Sequence, residues 1–547
     1  MGLFSILGTA NRGLSASQLG MEVTGQNIAN ADVEGYSRKR LTMTAAYRMD
    51  DNFGQMGYGV EVVNIERVRN IYLDQQIRRQ TNEVGYYEEL DHTLESIENV
   101  FTEPGDAGLQ HFIDQFFDSW ENLANNPSDV AARTMVKTNA EVLTGVFHNV
   151  AGELRDLRQT RNDEIGTRVE RVNQILHEMY NLNREIAAVE TNNQKANDSR
   201  DRRDLLLKEL SELIDIETRE NDLGQITVTT RGNILVSPVD VQELELTTSS
   251  FRQADGTTRT DIGIRFSNSK REYMPSSGQI RGLIDSRDTI IPNYVDQVDH
   301  LAISLSETIN DVHRNGYSLD GYSGLNFFDP NLTGAADIAL APAISSNVQN
   351  IAAAQGGERR GANENISHTY GNAPVDLLHR DIQAQTVTVT NQGSGVVLTE
   401  GVDYHIDYAR GTFQLLNATH DGAALSIEYQ YSTGGFRGAG DNANAIAISE
   451  LRHQLTMVPN AVGANTATFN QYYASFIGSL GLARTEAGSN LETRQFLVDQ
   501  YESHQDSIAG VSLDEEMAEM IKFQHSYQAA ARIISTASQM LEVLMNM

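Results

Sequence analysis

GVSLDEEMAEMIKFQHSYQAAARIISTASQMLEVLMNM, residues 510–547, is the stretch that decides the fold. Leu513, Met517, Met520, Gln524, Tyr527, Ala531, Ile534, Ser538, Leu541 and Met545 alternate four and three residues apart, the heptad seam of a helix that lies along another helix. A second apolar stripe, Ile533, Ala537, Met540 and Leu544, runs beside the first, so this helix has more than one side to cover. Ser512 followed by Glu515 fits a capping box, and Asp514, Glu515 and Glu516 stand where the helix dipole favours negative charge. These acids read as helix-start chemistry rather than as a metal site.

The opposite end of the chain carries the same spacing at Leu3, Leu7, Ala10, Leu14, Ser17, Met21, Thr24 and Ile28. Gly8, Gly13, Gly20 and Gly25 interrupt that helix at a cost of about 1 kcal/mol each relative to Ala, so it should be marginal alone. Two amphipathic segments, each too thin to be a domain, pair with each other or with copies of the chain. Such a molecule is a subunit.

Between these ends the period of the apolar residues changes several times. Helical spacing runs from about Val68 to Val100, where Glu103, Pro104 and Gly105 mark a turn. From Glu153 to about Asn197 a four-three rhythm with no proline predicts a long helix, and Leu206, Leu210, Leu213 and Ile214 predict a second over residues 202–214. The period then falls to two, predicting a small β unit over 216–275, and returns to helical over about 280–312. The texture loosens from Gly316, and GGERRGANENISHTYGNAP at 356–374 reads as a connection. Val402, Tyr404, Ile406 and Tyr408, then Leu425, Ile427, Tyr429 and Tyr431, alternate within an all-β insert.

The predicted class is α+β, with a discontinuous helical core from the paired terminal helices, a long helical rod and inserted β domains. By residue, 1–70 with 505–547 form the terminal core, and 71–215 with 276–315 and 441–504 form the rod. Residues 216–275 are a small β unit, 316–375 an irregular connecting region, and 376–433 the inserted all-β module.

Composition narrows the partners. The chain has 547 residues, 42 Lys plus Arg against 74 Asp plus Glu, and a formal charge of −32, which opposes binding to nucleic acid or anionic lipid. It has no cysteine, hence no disulfide, thiolate metal site or thiol nucleophile. No run approaches the roughly 20 apolar residues needed to span a bilayer, so no membrane insertion is expected, and no cleavable secretory signal is read at the start.

GQNIANADVEGYSRKR, residues 25–40, resembles the N-terminal signature of the bacterial flagellar rod, hook and hook-associated proteins. The matching positions are Asn27, Ile28, Ala29, Asn30, Gly35, Tyr36 and Arg38. Many relatives have Thr-Pro before that glycine, where this chain has Val33 and Glu34. Taken from the residues alone, Asn27 and Asn30 read as a helix C-terminus, with Gly35 supplying a turn. The segments 510–547, 198–222 and 277–321 resemble the hook-associated members that form the first junction between hook and filament; the insert at 376–431 is unmatched.

What the resemblance implies is a structural subunit outside the cell, at the hook–filament junction. It would form a ring-like homo-oligomer, with hook protein on one side and a second junction protein on the other. It would leave the cell by the flagellar type III export apparatus, with a cytoplasmic export chaperone. The expected assembly residues are Leu3, Leu7, Leu14, Met21 and the signature on the N-terminal side. On the C-terminal side they are Leu513, Met517, Met520, Tyr527, Ile534, Leu541 and Leu544.

Signals of chemistry are weak. GGFRGAG at 434–440 follows a strand and precedes a helix, but its glycine spacing is not that of a dinucleotide fingerprint. Asp403, His405 and Asp407 share a strand face without a third convergent ligand set, which reads as a solvated polar face. No catalytic residue, cofactor or metal is expected, and the chain is not expected to be an enzyme. The alternatives are another axial protein, such as hook or distal rod, or a surface-binding, adhesive protein that uses the β insert.

Overall fold

In the computed structural model the described residues are 3–46, 48–51, 54–101, 108–191, 194–252, 258–355, 359–380, 382–383, 386–408, 410–432, 438–459 and 463–545. The turn read at 103–105 and most of the glycine cluster at 434–440 lie outside them. α1 (Leu3–Ala29) leads through a hairpin, whose strands Lys39–Ala45 and Val60–Arg67 pair antiparallel, to α2 (Ile71–Phe101). α3 (Leu109–Asn125), α4 (Val130–Glu190) and α5 (Asn197–Leu213) follow. Two small antiparallel sheets then span Glu217 to Phe266, before α6 (Gln279–Asp285), a π-helical turn (Ser286–Ile290) and α7 (Ile291–His313). The short α8 (Pro342–Ser346), the β insert, α9 (Ala443–Glu450), α10 (Phe469–Ala509) and α11 (Leu513–Met545) complete the order.

α4 is the spine. Its 61 residues make a rod of about 90 Å, starting at Asp129, whose carboxylate caps the Ala131 amide. The four-three rhythm predicts this helix only from Glu153, after Gly145 and Gly152. Both glycines lie inside the helix, because Val136, Ala140, Leu143, Phe147, Val150 and Leu154 continue one buried stripe past them. Two cores share the spine. The first half of α4 packs with α3, α7, α9 and parts of α2 and α10 around Phe116, Phe117 and Trp120. The second half, from Ile165, packs with α5, α6 and the β unit.

The region from Gly316 to Ala354, loose in sequence, is a structured cover of the first core. Phe327, Phe328, Ile338, Ile344 and Ile351 are fully buried within it. Buried polar residues of α7 hold it down: Asn310 Oδ1 accepts from the Phe327 and Phe328 amides at 2.8 and 2.9 Å, and its Nδ2 donates to Phe328 O. His313 bonds Leu325 O through Nδ1 at 2.7 Å and accepts the Ala352 amide at Nε2 at 2.9 Å.

The β insert differs from its predicted extent. Arg359–Ser367, within the stretch read as a connection, is a strand paired along its length with Ala424–Ser432, with Thr388–Asn391 on the far side. Its polar alternation, RRGANENIS, hid it, because one face is solvated and only Ala362 and Ile366 reach the module's core. A second sheet, Val375–Asp376, Thr412–Leu415 and Tyr404–Asp407, closes the core on Phe413, Ile406 and Tyr404. His405 points outward as read, whereas Asp403 serves a turn, accepting from the Thr399 amide and from Asn417 Nδ2.

Burial lowers the His313 pKa from its ordinary 6.5 to about 4, since the protonated ring would lose the Ala352 bond and sit in a core that also holds Arg133. The unfolded imidazole takes its proton below 6.5 and the folded one only near 4. The stability is therefore intact above pH 6.5 and falls as pH drops from 6.5 to 4, by about 3 kcal/mol from this group. Urea melts across this range should show that loss, and His313→Gln should flatten it.

Candidate assembly site at the paired ends

α1 and α11 pack antiparallel within one chain: a Cβ built at Gly13 would lie 4.0 Å from Ala530 Cβ, one at Gly20 2.7 Å from the Phe523 ring, and one at Gly25 4.0 Å from Met520 Cε. Three of the four glycines read as interruptions face α11, while Gly8 meets nothing within 4 Å, and the Phe523 ring needs the missing side chain of Gly20. Ala10, Ala16, Ser17, Val23 and Thr24 complete the buried face of α1, opposite Ala530 and Ala537 of α11. The predicted seam residues divide. Leu7, Leu14, Met21, Ile28, Met520, Tyr527, Ile534 and Leu541 are half-buried, whereas Ala29, Leu513 and Met517 are exposed. The side chains of Leu3 and Leu544 lie outside the described set.

At the end of the pair, the signature folds back onto both helices. Asn27 is 1% exposed, and its amide makes four hydrogen bonds. Nδ2 donates to Lys39 O and to Glu516 Oε2, each at 2.9 Å; Oδ1 accepts from the Tyr36 hydroxyl at 2.8 Å and from the Lys39 amide at 3.0 Å. Arg38 donates from Nε to Glu516 Oε1 at 2.7 Å and from NH1 to Glu515 Oε2 at 3.0 Å. Burial raises the Tyr36 pKa to about 12, helped by Asp198, Asp201 and Glu516, so the hydroxyl stays a donor.

The same segment reaches α5, whose Asp198, Asp201 and Asp204 recur every third residue and so share a face. Asp201 accepts from the Ser37 amide and hydroxyl, and with Asp204 it accepts from Arg67 NH1 at 2.7 and 2.9 Å. Burial opposes the Asp204 charge, but Arg67, Arg69 and Arg203 outweigh it and hold its pKa below the usual carboxylate range. Lys39 closes the set, bonded to Asp198 and placed 5.2 Å from the centre of the Tyr36 ring. Gly35, at φ +76°, turns the chain past Leu205.

Three readings change here. Asn27 joins segments rather than ending a helix, while Asn30 does serve the helix end, its Nδ2 donating to Gln26 O at 2.8 Å. Only half of the capping box forms: the Glu515 amide reaches Ser512 Oγ at 3.5 Å, but the Glu515 carboxylate turns to Arg38. Glu516, read as helix-start charge, is the buried partner of the signature. Asp201, Asp204, Arg67 and Arg69 were missed as site residues; the three-residue spacing in DSRDRRD was the available signal. Among the described residues no cluster of three or more His, Asp or Glu could hold a metal, and no helix is long and apolar enough to cross a membrane.

The two ends of the chain thus close on each other through the signature segment, with the middle looped out between them. Comparison with known proteins places this arrangement among flagellar proteins. Residues 94–328 match the family described as "Flagellar hook-associated protein FlgK helical domain", residues 7–36 match "Flagella basal body rod protein", and 506–547 match "Flagellar basal body rod FlgEFG protein C-terminal". Flagellar hook-associated protein 1 of Bacillus subtilis (strain 168) is 28% identical over 99% of this chain and 98% of that protein. Its namesake from Salmonella typhimurium is 25% identical over 99% of both. A solved structure of the flagellar hook junction protein FlgK from Burkholderia pseudomallei shares the fold at a TM-score of 0.57 and 18% identity, covering 80% of this chain and all of that one. Over nearly its whole length the chain is thus similar to flagellar hook-associated protein 1, and all three family models that it matches are of flagellar rod or hook-associated proteins.

Asn27→Ala should strip Glu516 and the Lys39 backbone of their partner, weakening the pairing of the ends by about 2–3 kcal/mol. Limited proteolysis of the monomer should then cut within residues 3–46 and 513–545 well before the helical middle. Asn27→Asp should be worse, because it sets a second carboxylate against Glu516.

Proposed function

We propose that this chain is the subunit that joins hook to filament, assembled as a ring-like layer with hook protein on one side and a second junction protein on the other. The observation that carries the reading is apolar surface left over after α1 has filled its side of α11. Leu513, Met517 and Ile521, four residues apart, are each about half exposed on one flank, and Ile533 and Met540, one heptad apart, are exposed on another. Apolar residues on two flanks of a helix whose third side is already paired suit several neighbours in a closed assembly. The name and description carried by the relatives, hook-associated and hook junction protein, support the same place in the flagellum.

Export through the flagellar type III route, with a chaperone covering these flanks in the cytoplasm, follows from the same reading, as does a final location outside the cell. The signature, Leu7, Leu14 and Met21 would then act by fixing α1, and Leu513 and Met517 by touching neighbours directly. Deleting the gene should leave cells with hooks and no attached filaments by electron microscopy. Normal filaments on those hooks would refute the junction role. Met517→Glu with Ile521→Glu should give a folded, secreted chain, with an unchanged melting temperature, that fails to restore swimming.

A further inference from the structure

Between α2, the start of the β unit and α10 lies a polar cleft of about 810 Å³, with Arg78, Arg79, Arg231 and Arg494 on its walls. Neighbouring arginines are matched to carboxylates: Arg69 to Asp74 at 2.9 Å, Arg171 to Glu209 at 2.6 Å, Arg200 to Glu190 at 2.6 Å. None of these four forms an ion pair with any described residue. Arg231 NH1 donates to Met274 O at 2.9 Å, Arg494 NH1 reaches Gln80 Oε1 at 3.3 Å, and Arg78 NH2 reaches Thr218 Oγ1 at 3.4 Å.

Arg78 is the telling member. Burial pushes its pKa down, Asp74 and Asp204 only partly oppose that, and Arg69 adds repulsion. Arg133, fully buried where Arg78 is half-buried, differs because its fork is filled by the Ile351 and Pro127 carbonyls. The Arg78 fork is largely unused, in a chain with 74 acidic residues to choose from. Three carboxylates also line the cleft but are turned elsewhere. Glu83 accepts from Ser277 Oγ at 3.0 Å, Asp215 from the Ser276 amide at 2.9 Å, and Glu217 is exposed on the rim. Holding the half-buried Arg78 guanidinium partly away from water without a counter-charge is unfavourable, and a bound anion offsets that cost. Guanidinium forks on α2, on α10 and on the β unit face one space, an arrangement for several carboxylates in a row rather than one compact ion.

We propose that this cleft is a binding site for an acidic peptide segment, whose carboxylates complete the guanidinium forks of Arg78, Arg79, Arg231 and Arg494. Ile216 is the main apolar side chain on its wall, and amide and hydroxyl groups of Gln75, Asn82, Thr218 and Thr230 supply the rest of the lining, which suits a peptide backbone beside its acids. The inference is independent of the junction role, since it concerns the single chain in dilute solution.

The test is a fluorescence-anisotropy titration of labelled hexaglutamate with the full chain. Saturable binding is expected at about 50 mM salt, weakened at least about tenfold at about 500 mM. Arg78→Gln with Arg494→Gln should weaken it at least about tenfold, with circular dichroism confirming the fold. Arg79→Gln with Arg231→Gln, both at exposed positions, should weaken it at least about threefold and guards against a folding defect in the first variant. No binding at low salt, or binding unchanged in both variants, overturns the proposal. Competition by inorganic phosphate at concentrations equal to the peptide also overturns it, in favour of a simple anion site.

Discussion

The Glu516 carboxylate lies buried in the first turn of α11, and its two oxygens are held by Asn27 and Arg38 from the other end of the chain. A carboxylate without a partner in such a place costs about 3–5 kcal/mol, so α11 docks where those donors are. That constraint does what the helix seam cannot. Gly13, Gly20, Ala530 and Ala537 repeat at heptad spacing with small side chains, and a seam of this kind would tolerate a slip of one heptad. The polar contact forbids the slip, because any other register would bury Glu516 with nothing to meet it. The outer half, Arg38 to Glu515, is largely solvated and adds at most about 1 kcal/mol.

With the ends fixed, the middle follows as a second antiparallel pair. α2 and α10 run side by side, Arg484 meeting Glu95 and Glu98 at one end and Gln505 reaching Asp74 at the other. The turn from α10 to α11 at Gly510 and the hairpin between α1 and α2 carry both strands of this double rod across the same joint. α5 braces that joint through its acidic face and through Lys208 to Glu502. The β unit branches from the rod on the core it shares with α4, α5 and α6, whereas the β insert has a core of its own, so the insert's loops can vary without disturbing the joint.

Periodicity made the helices legible, because each long helix buries one apolar stripe; it failed where burial is achieved without period. The region 316–354 buries Phe327 and Phe328 through backbone bonds to Asn310 and His313, which leave no repeat in the sequence. Strand 359–367 is polar on one face and short of apolar residues on the other. At the site, Asn27, Tyr36 and Arg38 entered through resemblance to a signature and the seam of α11 through spacing, with Leu513 and Met517 of that seam standing exposed in the single chain. Glu516, Asp201 and Asp204 were not found as partners, since an acid at a helix start or on a helix face has an ordinary solvated reading that only three-dimensional placement overturns. The packing role of Gly20 was illegible for a related reason: cost in an isolated helix is visible in sequence, the ring of Phe523 above Gly20 is not.

The most direct measurement of the central claim uses the absence of cysteine in the chain. Gly13→Cys with Ala530→Cys places two thiols where Cβ atoms lie about 4.0 Å apart, within reach of a disulfide. In dilute monomer under mild oxidation, the account predicts rapid closure within one molecule at a rate independent of protein concentration, abolished by Asn27→Ala. Crosslinks that form only between molecules, or none at all, would show that the two ends do not pair within one chain.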